Sequence, residues 1–426
     1  MSTSVHASPP RLVPLRAVPE DLDAHLAEFG PRPATDPAAL IEALDQSGLR
    51  GRGGADFPTG SKWRAVIENS RRSGSAVVIA NAAECEPASL KDHFLLTYRP
   101  HLVLDGLEHA AEAIGAQRVV IYTTRAHRDL EASLRVAIRA RGRRDDNHRF
   151  IDVQVGPNRY VAGEETAVIA RVSGHLAKPR VVPPRPFQSG VDGLPTLVHN
   201  VETLAHAALV ARFGAAWFRS AGTDRSPGTT LLTVSGAVRS PGVLEASLDT
   251  TIAVIVERAG GAVETPAAVL VGGYFGRWVA ADRVWARTID ADSLRSAGVS
   301  LGTGVLIVVS QTTCGVAETD RVLTFLAAQT ARQCGPCHVG LPAIAEAFHR
   351  VATGKARQGS LDLLTRWASD VRGRGACRHP DGAMLFLASA MDVFAADLRH
   401  HLKHGECRFS QRPALLPVPA TDAGWW

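Results

Sequence analysis

The chain has 426 residues, 45% of them hydrophobic, and a formal net charge of +5. This predicts about two to four globular domains, and the absence of a concentrated basic stripe argues against nucleic-acid binding. No run of about twenty apolar residues occurs and the N-terminus has no apolar signal core, so we expect a cytoplasmic protein that reaches a membrane only through a partner.

The first half of the chain alternates predicted helices and strands. About the first thirty residues are rich in proline, alanine and polar residues and are predicted to be extended or mobile. Asp36 and Pro37 then begin a helix as its N-cap and first residue. The predicted strands are SAVVIANAAE, RVVIYTT and RFIDVQVG, and the predicted helices between them are HLVLDGLEHAAEAIGA and RDLEASLRVAIRAR. This order favours a doubly wound, mostly parallel sheet.

A composition change at DRSPGTT separates this domain from the second half of the chain. Beyond it, the apolar runs TLLTVSGAV, AVLVGGYFG and GVLIVVS and the helical segment LDTTIAVIVERAGG predict a small mixed β/α unit. Four further segments have helical periodicity and predict a bundle that carries most of the cysteines: TDRVLTFLAAQTA, GLPAIAEAFHRVAT, LDLLTRWASDVRG and GAMLFLASAMDVFAADLRHHL.

A glycine-rich run, GLRGRGGADFPTGSKW, precedes the first predicted strand. Glycine backbones let a ligand approach their N–H groups closely, and Arg52 and Lys62 supply charge for a phosphate. Phe57 and Trp63 supply rings that can stack on a flat heterocycle. The spacing is neither a Rossmann nor a Walker fingerprint, so a flexible surface loop stays open as the alternative.

Two acidic segments follow elements of the predicted sheet. NAAECEPASLKD comes directly after the first strand, where open α/β sheets bind ligands, and Asn81, Glu84 and Glu86 can hydrogen-bond a heterocycle or ribose hydroxyls. Glu164 and Glu165 in YVAGEETA stand at a predicted helix start, where the helix dipole favours carboxylates. Each segment therefore also has a purely structural interpretation, as a solvated turn or a helix cap.

Six cysteines in so long a chain exclude a disulfide scaffold, and their clustering late in the chain indicates metal chemistry. Cys334 and Cys337 lie in QCGPCHVG, and Cys377 follows in GRGACRHP. This is an iron–sulfur pattern with one ligand missing, because Ala331 stands where a C-x-x-C-x-x-C run would begin. A dithiol, a zinc knuckle or simple buried cysteines are the alternatives.

Taken in order along the chain, several motifs resemble one family. They are GLRGRGGADFPTGSKW, NAAECEP with the following KD, YVAGEETA, KPRVVPP, PTLVHNVET and QCGPC with the later cysteine. The chain is identified as a member of the family of the flavin- and NADH-binding subunit of respiratory complex I, which has relatives in NAD-dependent hydrogenases and formate dehydrogenases. NAAECEP is also similar to the related subunit of Rnf-type ferredoxin:NAD oxidoreductases.

The resemblance implies an α/β fold in which a Rossmann-like FMN-binding domain is followed by a β-grasp SLBB (soluble-ligand-binding) domain and a C-terminal α-helical bundle. The implied limits are an N-terminal extension at 1–35, the FMN- and NADH-binding domain at 36–228, the SLBB domain at 229–310, the iron–sulfur-binding bundle at 317–402 and a tail at 403–426.

The implied activity is that of an NADH dehydrogenase-like oxidoreductase. Electrons from NADH or NADPH pass through FMN and an iron–sulfur cluster to a partner, either a ferredoxin-like protein or another subunit of a complex. Glu164 and Glu165 are implied to take part in catalysis. Cofactor contacts are implied for Gly51, Arg52, Gly53, Gly54, Phe57, Lys62, Asn81, Glu84, Glu86, Tyr160, Gly163, Glu164, Glu165 and Asn200. Of these, Phe57 and Glu86 match positions near the dinucleotide, and Cys334, Cys337 and Cys377 match three cluster ligands.

The chain also departs from the family at the dinucleotide site. The family usually has glycine at Asp56, aspartate at Ala83, lysine at Val182 and aromatic residues at Ala65 and Arg185. Losing a cation and two stacking surfaces weakens the expected binding of NADH more than that of FMN. Arg185 instead provides a guanidinium that fits the 2′-phosphate of NADPH.

The missing thiolate leaves two hypotheses open. Three thiolates hold either a [3Fe-4S] cluster or a [4Fe-4S] cluster with a non-cysteine ligand, and the candidates for a further ligand are His338, His379, Cys314 and Cys407. A bundle without a cluster is the alternative. Together with the altered dinucleotide site, it favours a non-catalytic or NADH-independent relative that acts as a docking scaffold or ferredoxin-linked carrier in a larger complex.

Overall fold

The computed structural model describes residues 11–14, 18–143 and 150–425. These ranges form an α/β part with a parallel sheet, a small mixed β/α unit and a helical bundle, in that order. The predicted fold class is therefore confirmed. The predicted domain limits stay predictions.

The first part contains a four-stranded sheet in the order β3-β2-β1-β4, in which every neighbouring pair is parallel. Its elements are α1 (Leu22–Phe29), α2 (Pro37–Ser47), α3 (Thr59–Ser73), β1 (Ala76–Asn81), α4 (Lys91–Tyr98), α5 (Pro100–Ala113), β2 (Ala116–Thr124), α6 (Arg128–Gly142), β3 (Ile151–Gly156), α7 (Glu165–Val172), β4 (Thr196–Asn200) and α8 (Val201–Arg219). The prediction of an extended N-terminus was wrong at α1, where Asp21 caps a helix by accepting from the Ala24 N–H. The sequence analysis also missed β4.

Apolar residues cover both faces of the sheet. In β1, Val77 and Ile79 pack on one side, and Val78 and Ala80 pack on the other. A strand buried on both faces has a continuous apolar sequence, which is why the sequence predicts it well. Helices on the two faces leave the carboxyl edge of the sheet as the place where polar loops emerge.

The second part is a five-stranded mixed sheet in the order β6-β5-β9-β7-β8. Its elements are β5 (Thr229–Gly236), β6 (Gly242–Ser247), α9 (Ile252–Arg258), β7 (Pro266–Val271), β8 (Arg277–Ala280), α10 (Ala281–Val284), α11 (Ala291–Ser296) and β9 (Val305–Ser310). Alternate residues of β7 face opposite sides, so that Leu270 joins the bundle core while Val269 joins the interior of this unit.

The third part is the helical bundle. It comprises α12 (Gly315–Ala328), α13 (Leu341–Ala352), α14 (Ser360–Val371), α15 (His379–Val393) and α16 (Ala395–His404), with a π-helical turn at Pro336–Gly340 before α13. The prediction of one long final helix was wrong, because the chain divides at Phe394. The Phe394 ring lies 5.2 Å from the ring of Trp278 on β8, so the division lets the bundle pack against the sheet.

The segment 411–425, hereafter the tail, runs from the bundle back to the first part. The N–H groups of Leu415 and Leu416 donate to the Glu318 carboxylate on α12 at 3.1 and 3.0 Å. The Tyr274 hydroxyl donates to the Pro417 carbonyl at 2.5 Å, and the Asp422 N–H donates to the Asn158 carbonyl at 3.1 Å. The tail therefore contacts all three parts.

None of the helices in the described ranges combines the length and the apolar character that crossing a bilayer requires.

Helices α5 and α8 approach each other closely at Gly106, where an added Cβ would lie 1.9 Å from the carbonyl oxygen of Leu204. We expect Gly106→Ala to lower the free energy of unfolding by about 1–3 kcal/mol, because the backbone of α8 has to move away. Thermal unfolding of the full chain measures this. Gly242→Ala is the control, since nothing lies within 4 Å of the added carbon. Equal melting temperatures for the two variants would contradict the prediction.

Candidate functional site

The polar loops meet at the carboxyl edge of the parallel sheet. Asn81, at the end of β1, donates from Nδ2 to the carbonyl of Gly163 at 2.9 Å. Gly53 lies against Asn200 at the start of α8, so closely that an added Cβ would come within 3.2 Å of the Asn200 Cβ. The structure thus brings the glycine-rich, acidic and GEE segments together.

The glycine-rich loop is closed by a backbone bond from the Gly51 N–H to the Phe57 carbonyl at 2.9 Å. Gly54 has φ +98°, and Asp56 has φ +49°, the left-handed conformation for which the family uses glycine. The Asp56 carboxylate accepts from Arg50 Nε at 2.9 Å, so its charge is compensated beside any phosphate. Phe57 is 51% exposed and presents its ring to solvent.

Lys62 joins three elements at this edge. Its Nζ donates to Glu165 Oε1 and to the Val198 carbonyl, each at 2.7 Å, and so connects α3, α7 and β4. The prediction that Trp63 stacks on a ligand was wrong. Trp63 is fully buried, and its indole N–H donates to His199 Nε2 at 2.9 Å.

Two of the predicted glutamates cap helices. Glu84 accepts from the N–H groups of Asp92 and His93 at 2.9 and 2.8 Å, in the first turn of α4. Glu164 accepts from the Thr166 N–H at 2.9 Å at the start of α7, and burial raises the pKa of its carboxyl group. Both carboxylates are therefore engaged in capping backbone N–H groups. Their cofactor roles stay predictions.

Glu86 is buried between the three parts of the chain. Its Oε2 accepts from the Tyr160 hydroxyl at 2.7 Å and from the Tyr274 N–H at 2.8 Å. Burial raises the pKa of this carboxyl from 4.5 to about 7, although these hydrogen bonds favour the charged form. The group is therefore poised to change protonation near neutral pH.

Aromatic side chains connect Glu86 with the cysteines. The ring of Tyr160 lies 4.8 Å from that of Phe275, which follows β7, and 5.9 Å from that of His379 at the start of α15. The backbone N–H of His379 points to the thiol of Cys377. A continuous set of contacts thus extends from the acidic loop to the bundle.

The three predicted cluster cysteines converge at the end of α12. The Cys337 thiol lies near the Cys334 thiol and the Ala331 N–H, and the Cys377 thiol lies near that of Cys334. Burial raises the pKa of both Cys337 and Cys377. One buried and two half-buried thiols that lie near one another fit an iron–sulfur cluster, whose iron atoms would replace the thiol protons.

The candidates for a further cluster ligand separate in the structure. His379 Nε2 donates to the Leu326 carbonyl at 2.8 Å, and burial lowers the pKa of this imidazole to about 4, which leaves Nδ1 buried with a lone pair and without a partner in the described ranges. Cys314 precedes the 14-residue helix α12 and therefore lies about 20 Å away from its other end. Cys407 contacts the Cys314 end of the bundle, and His338 is exposed.

The sequence analysis missed a buried ionic group beneath Asn200. Lys91 Nζ lies 2.7 Å from Asp92 Oδ1, 2.9 Å from Glu202 Oε2 and 3.2 Å from Asn200 Oδ1. The Asn200 amide donates to Asp92 Oδ2 at 2.6 Å, so the group fixes its orientation. The only signal in the sequence was that Lys91 and Glu202 belong to or adjoin recognised motifs. Nearness along the sequence does not reveal that the two side chains are buried.

A cavity of about 240 Å³ lies between the glycine-rich loop and the loop before β9. Its lining includes Arg50, Arg52 and Lys91 together with Gly51 and Gly54. The Nε atom of Arg52 is buried and has no hydrogen-bond partner among the described residues. Clustered cations, accessible glycine backbones and an unpartnered guanidinium N–H fit an anionic ligand such as the phosphate of FMN.

Three family models match in the same order as the three parts of the structure. The Nuo51 FMN-binding domain matches residues 44–208, the SLBB domain matches 231–273, and the NADH-ubiquinone oxidoreductase-F iron-sulfur binding region matches 317–401. An NADH-quinone oxidoreductase subunit of Rhizobium meliloti (strain 1021) is 33% identical over 385 residues, which cover 88% of this chain and 91% of that protein.

The chain belongs to the NADH-quinone oxidoreductase-F family. The corresponding subunit of Mycobacterium bovis is 32% identical over 408 residues, covering 91% of this chain and 90% of that protein. A crystal structure of an NAD⁺-reducing [NiFe]-hydrogenase in the H₂-reduced state has a TM-score of 0.80 and 33% identity. It matches 87% of this chain, which spans only 63% of that hydrogenase chain. Membership of the oxidoreductase-F family confirms the resemblance.

Within this member of the oxidoreductase-F family, Glu86 makes stability depend on pH. Its carboxyl is ionised above pH 4.5 in the unfolded chain but only above about pH 7 in the folded one. Between these values the unfolded state binds fewer protons, so stability falls as pH rises. We expect Glu86→Gln to flatten this fall, as measured by melting temperatures at pH 5 and pH 7.5. Glu68→Gln, on the outer surface of α3, is the control. The prediction fails if both variants keep the wild-type slope.

Proposed function

We propose that this chain is the FMN-dependent electron-transfer subunit of an NADH-oxidising complex. The residues at the sheet edge would hold FMN, which would supply two-electron chemistry with NADH, and Cys334, Cys337 and Cys377 would hold an iron–sulfur cluster, which would supply one-electron transfer. The observation that carries this proposal is the set of contacts from Glu86 through Tyr160 and Phe275 to His379, beside Cys377. It joins the flavin side of the molecule to the cysteines through packed side chains.

We assign binding roles to the residues at the carboxyl edge of the sheet. The glycine-rich loop offers backbone N–H groups and the Arg52 guanidinium to the phosphate, and Lys62 offers its ammonium to the flavin. Asn81 and Asn200 are held by hydrogen bonds that fix their orientation. Glu165 orients Lys62. The exposed ring of Phe57 offers a stacking surface to the dinucleotide.

The same assignment extends to the remaining predicted contacts. Gly163 permits the close approach of the acidic loop, since an added Cβ would meet Cys85 Sγ at 3.2 Å. Glu84 and Glu164 act by holding α4 and α7 in place. Glu86 holds or releases a proton at its carboxyl near neutral pH, beside the Tyr160 hydroxyl.

The partner that receives the electrons is proposed to be another subunit of a complex, or a ferredoxin-like protein. The exposure of His338, one residue after Cys337, brings the cysteine region to the surface of the bundle, where single electrons can leave. We also propose a cytoplasmic location, since all six cysteines are unpaired, as in a reducing compartment.

The first test is the absorption spectrum of the anaerobically purified full chain before and after addition of NADH, then NADPH. We expect a flavin band that NADH bleaches. Bleaching by NADPH alone would assign Arg185 to a 2′-phosphate. A flavin that neither nucleotide reduces would mean that electrons come from a protein partner. A colourless chain after reconstitution would overturn the proposal in favour of a docking scaffold.

Removal of the Lys62 ammonium tests the flavin site. We expect Lys62→Met to weaken FMN binding by about 10- to 100-fold, the equivalent of a charge-assisted hydrogen bond of about 1.5–3 kcal/mol. Titration of FMN into the flavin-free chain, followed by quenching of flavin fluorescence, gives the Kd. Arg71→Gln, at an exposed position near the other end of α3, should leave the Kd unchanged. Equal Kd values for the two variants would remove Lys62 from the site.

Restoring the missing thiolate tests the cluster. Ala331 is 4% exposed and its N–H already donates to Cys337, so a side chain at this position lies beside the three thiols. We expect Ala331→Cys to slow the loss of iron in air several-fold and to change the EPR spectrum of the reduced protein. Ala331→Ser adds an atom of similar size without a thiolate and should behave as the wild type. If Ala331→Cys also matches the wild type, a thiolate at position 331 does not reach the cluster.

A further inference from the structure

We propose that Cys314, His401 and Cys407 bind a zinc ion at the end of the bundle opposite the cluster cysteines. Within the described part of the chain, they are the one group of three metal-ligating side chains whose ligand atoms all lie within 4.8 Å of one another. Neither the family models nor the names of the relatives assign a site to them. The proposal is independent of the proposed function.

The start of α12 positions the first ligand. Cys314 is the N-cap of this helix, and its Sγ accepts from the Ala317 N–H at 3.3 Å. The residue is 5% exposed, so its sulfur lies inside the bundle. The amide donor and the positive end of the helix dipole favour a thiolate, but burial outweighs them and raises the pKa of the Cys314 thiol to about 12, so a metal ion has to displace the thiol proton.

The second ligand is already held in the tautomer that binds metals. His401 is fully buried near the end of α16, and its Nδ1 lies 2.7 Å from the carbonyl of Ala352, the last residue of α13. A carbonyl only accepts, so Nδ1 carries the proton and Nε2 carries the lone pair. A backbone carbonyl on the second imidazole nitrogen is the usual support of a zinc-binding histidine.

The distance between the two ligand atoms matches a tetrahedral zinc site. Zinc–sulfur and zinc–nitrogen bonds of about 2.3 and 2.0–2.1 Å, at a tetrahedral angle, place sulfur and nitrogen about 3.5 Å apart. Cys314 Sγ and His401 Nε2 are 3.5 Å apart.

A turn after α16 brings in the third ligand. Gly405, with φ +83°, ends the helix, and Cys407 returns so that its N–H lies 3.4 Å from His401 Nε2. Cys407 is half-buried, which opens the site to solvent. Two thiolates and an imidazole leave a fourth position for water, and binding releases the two thiol protons without any redox change.

A disulfide between the two cysteines is the competing use of this cluster. It would need an oxidant, and it would leave His401 Nε2 with only the Cys407 N–H as a polar partner. A zinc ion uses all three groups and fastens the turn between α16 and the tail to the start of α12.

The test uses the full chain, purified without chelators and analysed for zinc and iron by mass spectrometry of the elements. We expect one zinc per chain, lost in Cys407→Ser and Cys314→Ser. It should be retained in Cys334→Ser, which removes a cluster cysteine, and in His400→Gln, which changes the neighbouring exposed histidine. Iron should be lost only from the Cys334 variant.

X-ray absorption at the zinc edge keeps the test independent of whether the variants fold. We expect two sulfur atoms at about 2.3 Å and a nitrogen at about 2.0 Å in the wild type. A shell of three or four sulfur atoms, or loss of zinc from the Cys334 variant, would move the zinc to the cluster cysteines and overturn the proposal. So would a zinc-free chain, or a Cys314–Cys407 disulfide found by mass spectrometry.

Discussion

The hydrogen bond between Tyr160 and Glu86 is the contact on which the arrangement of the three parts depends. It joins the GEE segment to the acidic loop, and the same carboxylate accepts from the backbone of the small mixed unit. The Tyr160 ring then packs on Phe275 and on side chains of the bundle. If one part moved away, the buried Glu86 carboxylate would lose a hydrogen-bond donor, which costs free energy. The three parts therefore keep one another in position.

Charges at the sheet edge are compensated within the protein. Arg50 pairs with Asp56, and Lys62 pairs with Glu165. An arriving phosphate or flavin exchanges one partner for another instead of meeting bare cations. Specific recognition then depends on how well the ligand replaces these contacts.

Local sequence signals correctly predicted the elements whose formation depends on local sequence. Asp36 and Pro37 marked the start of α2, and continuous apolar runs marked β1. Strands β4, β6 and β8 escaped because their sequences, TLVHN, GVLEAS and RWVA, contain no long apolar run and depend on neighbouring strands for burial. The motif residues were found by spacing, and the predicted helix start at Glu164 is present, but spacing did not reveal that Glu84 caps α4.

Interactions between distant segments were beyond the reach of the sequence. Cys314 and His401 are 87 residues apart, and only the packing of α12 against α16 makes them neighbours. Trp63 looked like a stacking surface because its loop is polar, yet it belongs to the core that supports that loop. A site residue and its support are indistinguishable until the fold is known.

The tail has a consequence for the order in which the molecule matures. It follows all three parts in the chain, so the ribosome makes it after them, and Leu416, Pro417 and Asp422 are the residues through which it contacts all three. The hydrogen bonds through which the tail joins the three parts therefore form only after each of those parts has been synthesised.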